Sequence, residues 1–212
     1  MMLPPTIPIF PLPNVVLFPN VFLPLHIFEP RYRAMVADAL AGDRIIGMVL
    51  LQPGFEAHYE GRPAVYAVGC AGVITHAEPL PDGRYDIVLR GIEKFRITSE
   101  DGSRPYRLAQ VQPIVEILPE SDREAVRHHR QRLEALLAAA IERSGAGPKF
   151  PPAVSDEDLI NALAQYLSLE PLERQALLER DGILARCRAL IELLEIKTIT
   201  RRAAGSGSGS VH

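Results

Sequence analysis

The stretch Leu80-Pro81-Asp82-Gly83-Arg84-Tyr85-Asp86-Ile87-Val88-Leu89-Arg90-Gly91 decides the fold. Its Leu80 to Arg84 portion is a hairpin signal: proline presets one turn dihedral, and Asp-Gly tolerates the tight reversal. After the turn, Tyr85, Ile87 and Leu89 alternate with Asp86, Val88 and Arg90, the period of a strand with two unlike faces. Gly91 breaks this run before Phe95 and Ile97, which predicts a bulge or tight bend. Val65 to Thr75, ahead of the turn, is also strand-like.

Outward from this hairpin, Val21 to Ile27 and Arg44 to Leu51 read as buried strands, and Arg107 to Val111 as a last one. Pro30 to Leu40 reads as a helix between the first two, with Pro in its first turn and Gly42 past its end. Tyr32, Met35, Val36, Ala39 and Leu40 recur there at helical spacing. Several short strands punctuated by turns predict a small, closed or nearly closed β-barrel.

The grammar changes near residue 118. Of the 7 Phe and 6 Tyr, all but Phe150 and Tyr166 lie at or before Tyr106. Leu, Ala, Glu and Arg dominate beyond it, as helices prefer. Ser121 to Glu124 and Ser155 to Asp158 read as capping boxes. Helical stripes follow on Val126, Leu133, Leu137 and Ala140, on Leu159, Ile160, Leu163, Tyr166 and Leu167, and on Ile183, Cys187, Leu190, Ile191 and Leu194. A short helix is expected from Pro171 to Arg180, and a linker from Gly145 to Pro152. The expected fold class is therefore α+β: a β-barrel domain over 1–118 with one inserted helix, an α-helical bundle over 119–202, and a disordered Gly/Ser tail over 203–212.

Charge and chemistry narrow the function. With 23 basic and 26 acidic residues the net charge is −3. Up to Leu118 there are 10 basic and 12 acidic residues, so neither half has the basic excess that phosphate-backbone binding requires. No nucleic-acid partner is expected. Met1 to Phe28 carries no charge, yet its prolines interrupt every possible spanning helix and no basic residue precedes it. Neither a membrane segment nor a secretory signal is expected, and the two isolated cysteines, Cys70 and Cys187, fit a reducing, cytoplasmic setting.

Gly42 to Gly47 lacks the Lys and Ser or Thr of a phosphate loop. There is no HExxH, no CxxC and no GxSxG, so no metal, cofactor or catalytic residue is expected. His128 and His129 are adjacent on a helix and diverge around its axis. Arg123, Arg127, Arg130 and Arg132 alternate with Glu124 and Glu134, which reads as a solvated, ion-paired face.

Ile7-Pro8-Ile9-Phe10-Pro11-Leu12-Pro13-Asn14-Val15-Val16-Leu17-Phe18-Pro19, continued by Leu23-Pro24-Leu25-His26-Ile27-Phe28-Glu29-Pro30-Arg31-Tyr32, resembles the opening of the Lon protease N-terminal (substrate-binding) domain family. Leu80-Pro81-Asp82-Gly83, with Ile87 to Gly91 and Lys94 to Ile97, is a second signature of it. The resemblance implies a PUA-like β-barrel followed by helices, and a stand-alone, non-catalytic recognition module without the ATPase or peptidase domains. Its implied partner is unfolded or extended polypeptide, with a protease or chaperone component also expected. An added strand on a sheet edge and apolar side chains in a groove are the two binding modes such a module offers. Phe18, His26, Phe28, Glu29, Arg31 and Tyr32 are the candidate groove residues, where aromatics meet the first charges of the chain. The competing reading places Phe18, Phe28 and Tyr32 in the core and gives His26 a structural hydrogen bond. An RNA-binding PUA-like protein and a hydrolase with an unrecognised site are the alternative functions.

Overall fold

The computed structural model describes residues 2–58, 61–144 and 154–206. In chain order they form β1 (Thr6–Leu12), β2 (Phe22–Ile27), α1 (Pro30–Ala41), β3 (Ile45–Leu50), β4 (Val68–Pro79), β5 (Tyr85–Asp101), β6 (Arg107–Ile114), α2 (Arg123–Ser144), α3 (Asp156–Tyr166), α4 (Pro171–Leu178) and α5 (Gly182–Ser206). The result is a mixed α/β structure with one six-stranded sheet, in the order β2-β5-β4-β3-β1-β6.

The β4–β5 hairpin is the spine of that sheet. The Leu80 amide donates to the Arg84 carbonyl at 2.8 Å and the Gly83 amide to the Leu80 carbonyl at 2.9 Å. Gly83 takes φ 78°, open to glycine without strain. The Asp82 carboxylate accepts from the Arg84 amide at 3.1 Å, and this bond, with the Arg84 guanidinium, holds its pKa below the usual carboxylate value.

β5 changes partners along its length. Tyr85 to Arg90 pair with β2, whereas Lys94 to Asp101 pair with β6, and β4 pairs with β5 between Tyr85 and Arg96. Through the β5–β6 pairing the ladder β5-β4-β3-β1-β6 returns to β5. The changeover is at Gly91, beside a register shift in which Ile92 is the extra residue. Gly91 accepts from the Asn20 amide and donates to the Val21 carbonyl, both at 2.9 Å. Asn20, at φ 61°, makes the reversal that brings this loop in. A Cβ on Gly91 would overlap the Phe18 carbonyl oxygen and lie 2.9 Å from its carbon.

Inside this sheet, Ile7, Ile9, Ile45, Val49, Ala71, Phe95 and Ala109 form one buried cluster. Gly47 and Gly69 leave room for the Phe95 ring, whose Cζ would be 2.8 Å from a Cβ at either position. β1 was not among the expected strands, and Pro8 and Pro11, read only as breaking a spanning helix, lie inside it. It forms because each half has a single partner. Thr6 to Ile9 pair antiparallel with β6, and Ile9 to Leu12 pair parallel with β3. Neither proline sits in a doubly bonded position, so the missing amide costs the ladder little.

The chain divides into two compact units, one of residues up to 115 together with 161–179, the other of residues 116–160 and those from 180 on. Residues 161–179, expected with the helical half, belong to the first unit. Polar side chains tie them there. Asn161 Nδ2 donates to the Pro19 carbonyl at 3.2 Å, Gln165 Oε1 accepts from the Phe18 amide at 3.2 Å, and Gln175 Nε2 donates to the Val68 carbonyl at 3.0 Å.

In the second unit, α2 and α5 bury Val126, Leu133, Ile183, Leu190 and Ile191. Arg186 is fully buried and its Nη2 lies 2.7 and 2.8 Å from the two Glu116 oxygens. Arg130 reaches Glu134 at 2.9 Å and Asp156 at 2.8 Å, and Arg132 reaches Glu195 at 2.5 Å. Among the described residues, then, only Glu134 of the two acids interleaved with the arginine run pairs with it, while Arg127 donates to the Arg123 carbonyl. The Ser155 hydroxyl caps the Asp158 amide at 3.1 Å, but Ser121 turns to Asp122 instead, and a short 3₁₀ turn over Glu120–Asp122 precedes α2. α5 runs on to Ser206, into the stretch expected to be disordered, because Ala203 and Ala204 favour helix. The expected linker at 145–152 and the rest of the Gly/Ser tail, 207–212, lie outside the described residues.

Two outcomes follow. Gly91→Ala is expected to destabilise the protein by at least about 1–3 kcal/mol in urea unfolding, since the clash is with backbone rather than a movable side chain. Burial first, then Glu116 and Asp158, raise the Glu157 pKa above the ordinary carboxylate value. The folded chain thus holds that proton more tightly than the unfolded chain does. The stability this confers is full at acid pH and lost as pH rises through the raised pKa. Glu157→Gln is expected to unfold at higher urea than the parent near about pH 7, with the gap closing toward about pH 4.

Candidate polypeptide-binding surface

The six candidate residues do not converge on one groove. Phe18 is fully buried under the Gly91 changeover. Tyr32 is buried as well, its ring centroid 4.3 Å from that of Phe10. Phe28, by contrast, is 60% exposed. The core reading therefore holds for two of the three aromatics and fails for Phe28, whose ring stacks on His26 at 6.3 Å between centroids. Glu29 is the N-cap residue of α1 and accepts from Arg31 Nε at 2.9 Å, while the Arg31 guanidinium lies 4.6 Å from the Tyr32 centroid.

His26 has the structural hydrogen bond expected of it. Its Nδ1 lies 2.6 Å from Asp86 Oδ1, and Arg84 Nη1 lies 3.1 Å from its Nε2. Because a guanidinium only donates, Nε2 accepts and the ring proton sits on Nδ1, directed at Asp86. Asp86 is the residue paired with His26 across the β2–β5 ladder.

β2 is the outer strand of the sheet, with β5 as its only neighbouring strand among the described residues. Pro24 faces Val88 in the register and has no amide to give β5. That fixes the strand's polarity: Phe22, Pro24 and His26 turn their backbone groups away from β5. The Tyr166 hydroxyl donates to the Phe22 carbonyl on this side at 2.8 Å. The Pro24 carbonyl and both His26 backbone groups face outward too. Phe22 is 51% and Tyr166 65% exposed, so with Phe28 the edge carries three exposed aromatic rings. Beside it, Pro24, Leu25, His26, His76 and Asp86 line a shallow hollow of about 320 Å³.

A second concavity, of about 260 Å³, is lined by Pro11, Arg31, Tyr32, Leu51, Gly61, Arg62, Pro63, Pro105, Tyr106 and Arg107. Arg107 is locked between Glu100, at 2.7 and 2.6 Å, and the Pro63 carbonyl at 2.7 Å. The Tyr106 hydroxyl donates to Asp38 at 2.6 Å. Burial and this carboxylate push its pKa up to about 12, so it stays a neutral phenol. Phe22, Tyr166, Arg62 and Tyr106 escape sequence reasoning because their neighbours in space are far along the chain; Phe22 also lies in a stretch expected to be a buried strand, whereas Phe22, Pro24 and His26 are exposed.

Among the described residues no group of His, Cys, Asp and Glu is placed to hold a metal ion. Cys70 and Cys187 are both buried, and burial raises the Cys187 pKa to about 11, which removes the thiolate a nucleophile needs. No described helix is long and apolar enough to cross a membrane.

Residues 6–195 match the family described as the ATP-dependent protease La (LON) substrate-binding domain. The Lon protease of Cytophaga hutchinsonii is 28% identical over 200 residues, covering 91% of this chain and 24% of the relative. Lon protease 2 of Syntrophobacter fumaroxidans is 30% identical over 182 residues, covering 84% and 22%. The chain thus spans about a quarter of the length of these relatives. Among solved structures, the N-terminal domain of the Mycobacterium avium complex Lon protease superposes with a TM-score of 0.64 at 18% identity, over 90% of this chain and 98% of that one. A Lon N-terminal domain protein from Xanthomonas campestris gives 0.58 at 24% identity, over 90% and 97%. These two share its fold. The mixed sheet, its helices and a match running nearly the whole chain place this protein in the Lon substrate-binding domain family.

Proposed function

We propose that the chain binds unfolded or extended polypeptide in the cytoplasm as a non-catalytic recognition module, alongside a protease or chaperone component. In this reading the ladder that returns to β5 is a small PUA-like barrel, and β2, outside that ring, is the strand that receives the client. The observation that carries it is the one-sided edge of β2 with exposed Phe22, Phe28 and Tyr166 along it.

An extended segment laid beside β2 takes hydrogen bonds from the His26 amide and gives them to the Pro24 and His26 carbonyls. Its apolar side chains rest on the three rings. Main-chain bonds are indifferent to sequence, and aromatic surfaces accept many side chains, which suits a receptor for varied clients. Pro24 limits the number of amides on offer, so the edge holds a visitor briefly and resists pairing with copies of itself. His26, tied to Asp86 and Arg84, stiffens the strand rather than contacting the client as a ligand group. Phe18 and Tyr32, both buried, stay out of contact with the client, and Glu29 and Arg31 set the start of α1.

Fluorescence anisotropy with a labelled, permanently unfolded protein tests this. The wild-type chain is expected to bind saturably, and the Phe22→Asp, Phe28→Asp double variant to lose about tenfold in affinity with its melting temperature unchanged. Absence of binding by the wild type, or full affinity in the variant, would remove the reading.

A further inference from the structure

The second concavity shares no lining residue with the β2 hollow, and its chemistry is different. Three guanidinium-bearing side chains, Arg31, Arg62 and Arg107, line it, and no carboxylate among the described residues does. In a chain with more acids than bases this is a local inversion of charge. The acids that pair with two of these arginines, Glu29 and Glu100, stand outside the lining. These pairs fix the two guanidinium groups and offset much of their charge, which leaves Arg62 as the exposed cation of the lining. Arg31 and Tyr32 also belong to the first turn of α1, where the helix dipole adds positive potential. Tyr106 contributes a phenol rather than a phenolate.

The remaining wall is apolar and stiff: Pro11, Pro63, Pro105, Leu51 and the Tyr32 ring. Prolines and a buried ring lose little conformational freedom when a ligand seats against them. Arg62 is held at the mouth over Gly102, where a Cβ would lie 2.6 Å from its Nη2. Its charge reaches Asp101, but that carboxylate is engaged by the amide and hydroxyl of Ser103 at 2.8 and 3.0 Å. The volume is at the lower limit of small-ligand pockets, roughly 300 Å³, room for one ring or branched side chain and a charged head.

We propose that this cavity is a binding site for a carboxylate carried on an apolar or aromatic body. Arg62 takes the carboxylate, the ion-paired Arg31 and Arg107 keep competing acids off the wall, and the prolines and Tyr32 take the body. Guanidinium groups match the planar carboxylate by paired hydrogen bonds, whereas the apolar wall offers nothing to the third and fourth oxygens of a phosphate. Two sources present this chemistry: the C-terminal residue of a polypeptide, and a free small carboxylate.

Calorimetry and amide chemical-shift mapping with N-acetyl-phenylalanine test the site on the full chain. A dissociation constant near about 1 mM or below is expected, with shifts at Arg62, Tyr106 and Arg107. N-acetyl-phenylalaninamide, which has the ring but not the charge, and inorganic phosphate, which has charge but no body, are each expected to bind at least about tenfold more weakly. Arg62 is exposed, so Arg62→Gln is expected to weaken the acid about tenfold with the melting temperature unchanged. A short peptide ending in phenylalanine binding more tightly than the free amino-acid derivative assigns the site to a polypeptide C-terminus; equal affinity assigns it to small carboxylates. Equal binding of acid and amide, equal binding of phosphate, or an indifferent Arg62→Gln overturns the proposal. The Phe22→Asp, Phe28→Asp variant is expected to keep the acid's full affinity, so the two surfaces fail or stand separately.

Discussion

A backbone carbonyl pressed against a residue without a side chain organises the first unit. Gly91 exchanges hydrogen bonds with the Asn20–Val21 loop at 2.9 Å in each direction, and the Phe18 carbonyl occupies the space where a Cβ would be. This contact lets a single strand serve two neighbours in succession, β2 before Gly91 and β6 after it. Without the changeover, β5 would continue beside β2 and the ladder would not come back through β6. The exposed edge of β2 is thus a consequence of the same residue, since β2 is left outside the ring that β6 completes.

The aromatic residues around this point divide by the side of the backbone on which they fall. Val21 and Ile27 are buried at the ends of β2, while Phe22, Pro24 and His26 share the exposed face between them. Phe18 lies before the reversal and is carried inward; Phe28 lies beyond the strand and stays outside. A surface with three exposed rings is unusual for a chain whose other large hydrophobics are mostly buried, and at about 25 cal/mol per Å² of apolar area the proposed client gains by covering it.

Local pattern made part of this legible. The Leu80–Arg84 turn, the alternation after it, the glycine irregularity and the helix beginning at Pro30 all rest on neighbours within a few residues, and the structure has each of them. β1 was hidden because its tolerance for Pro8 and Pro11 depends on which partners flank each half, a fact about β3 and β6 rather than about residues 6–12. The assignment of 161–179 to the first unit was hidden for a similar reason. Asn161, Gln165 and Gln175 look like ordinary polar positions of helical segments until their targets, the backbone of Phe18, Pro19 and Val68, are known. Of the candidate site, His26 and Phe28 were visible from the chain as polar or aromatic residues at a strand's end. Phe18 and Tyr32 were not separable from them, because exposure is decided by the loop reversal at Asn20 and by packing on Phe10.

Those three amide side chains also show what kind of specificity holds the unit together. Each hydrogen bond to a neutral backbone group contributes only about 1 kcal/mol net, so together they add less than the burial of a few leucines. Their effect is one of register. A carbonyl at Pro19 or Val68, once buried, is costly without a donor, and Asn161 on α3 and Gln175 on α4 supply one to each. Apolar contact alone tolerates sliding by a helical turn; an unpaired buried carbonyl does not. The loop that carries Phe18 and Pro19 is therefore fixed from two directions, by Gly91 on the sheet side and by Asn161 and Gln165 on the helix side. Phe22 follows within a few residues, with its carbonyl held by Tyr166. The exposed strand edge is thus anchored at its start by hydrogen bonds on both sides, and an anchored edge loses little entropy when another strand is laid against it.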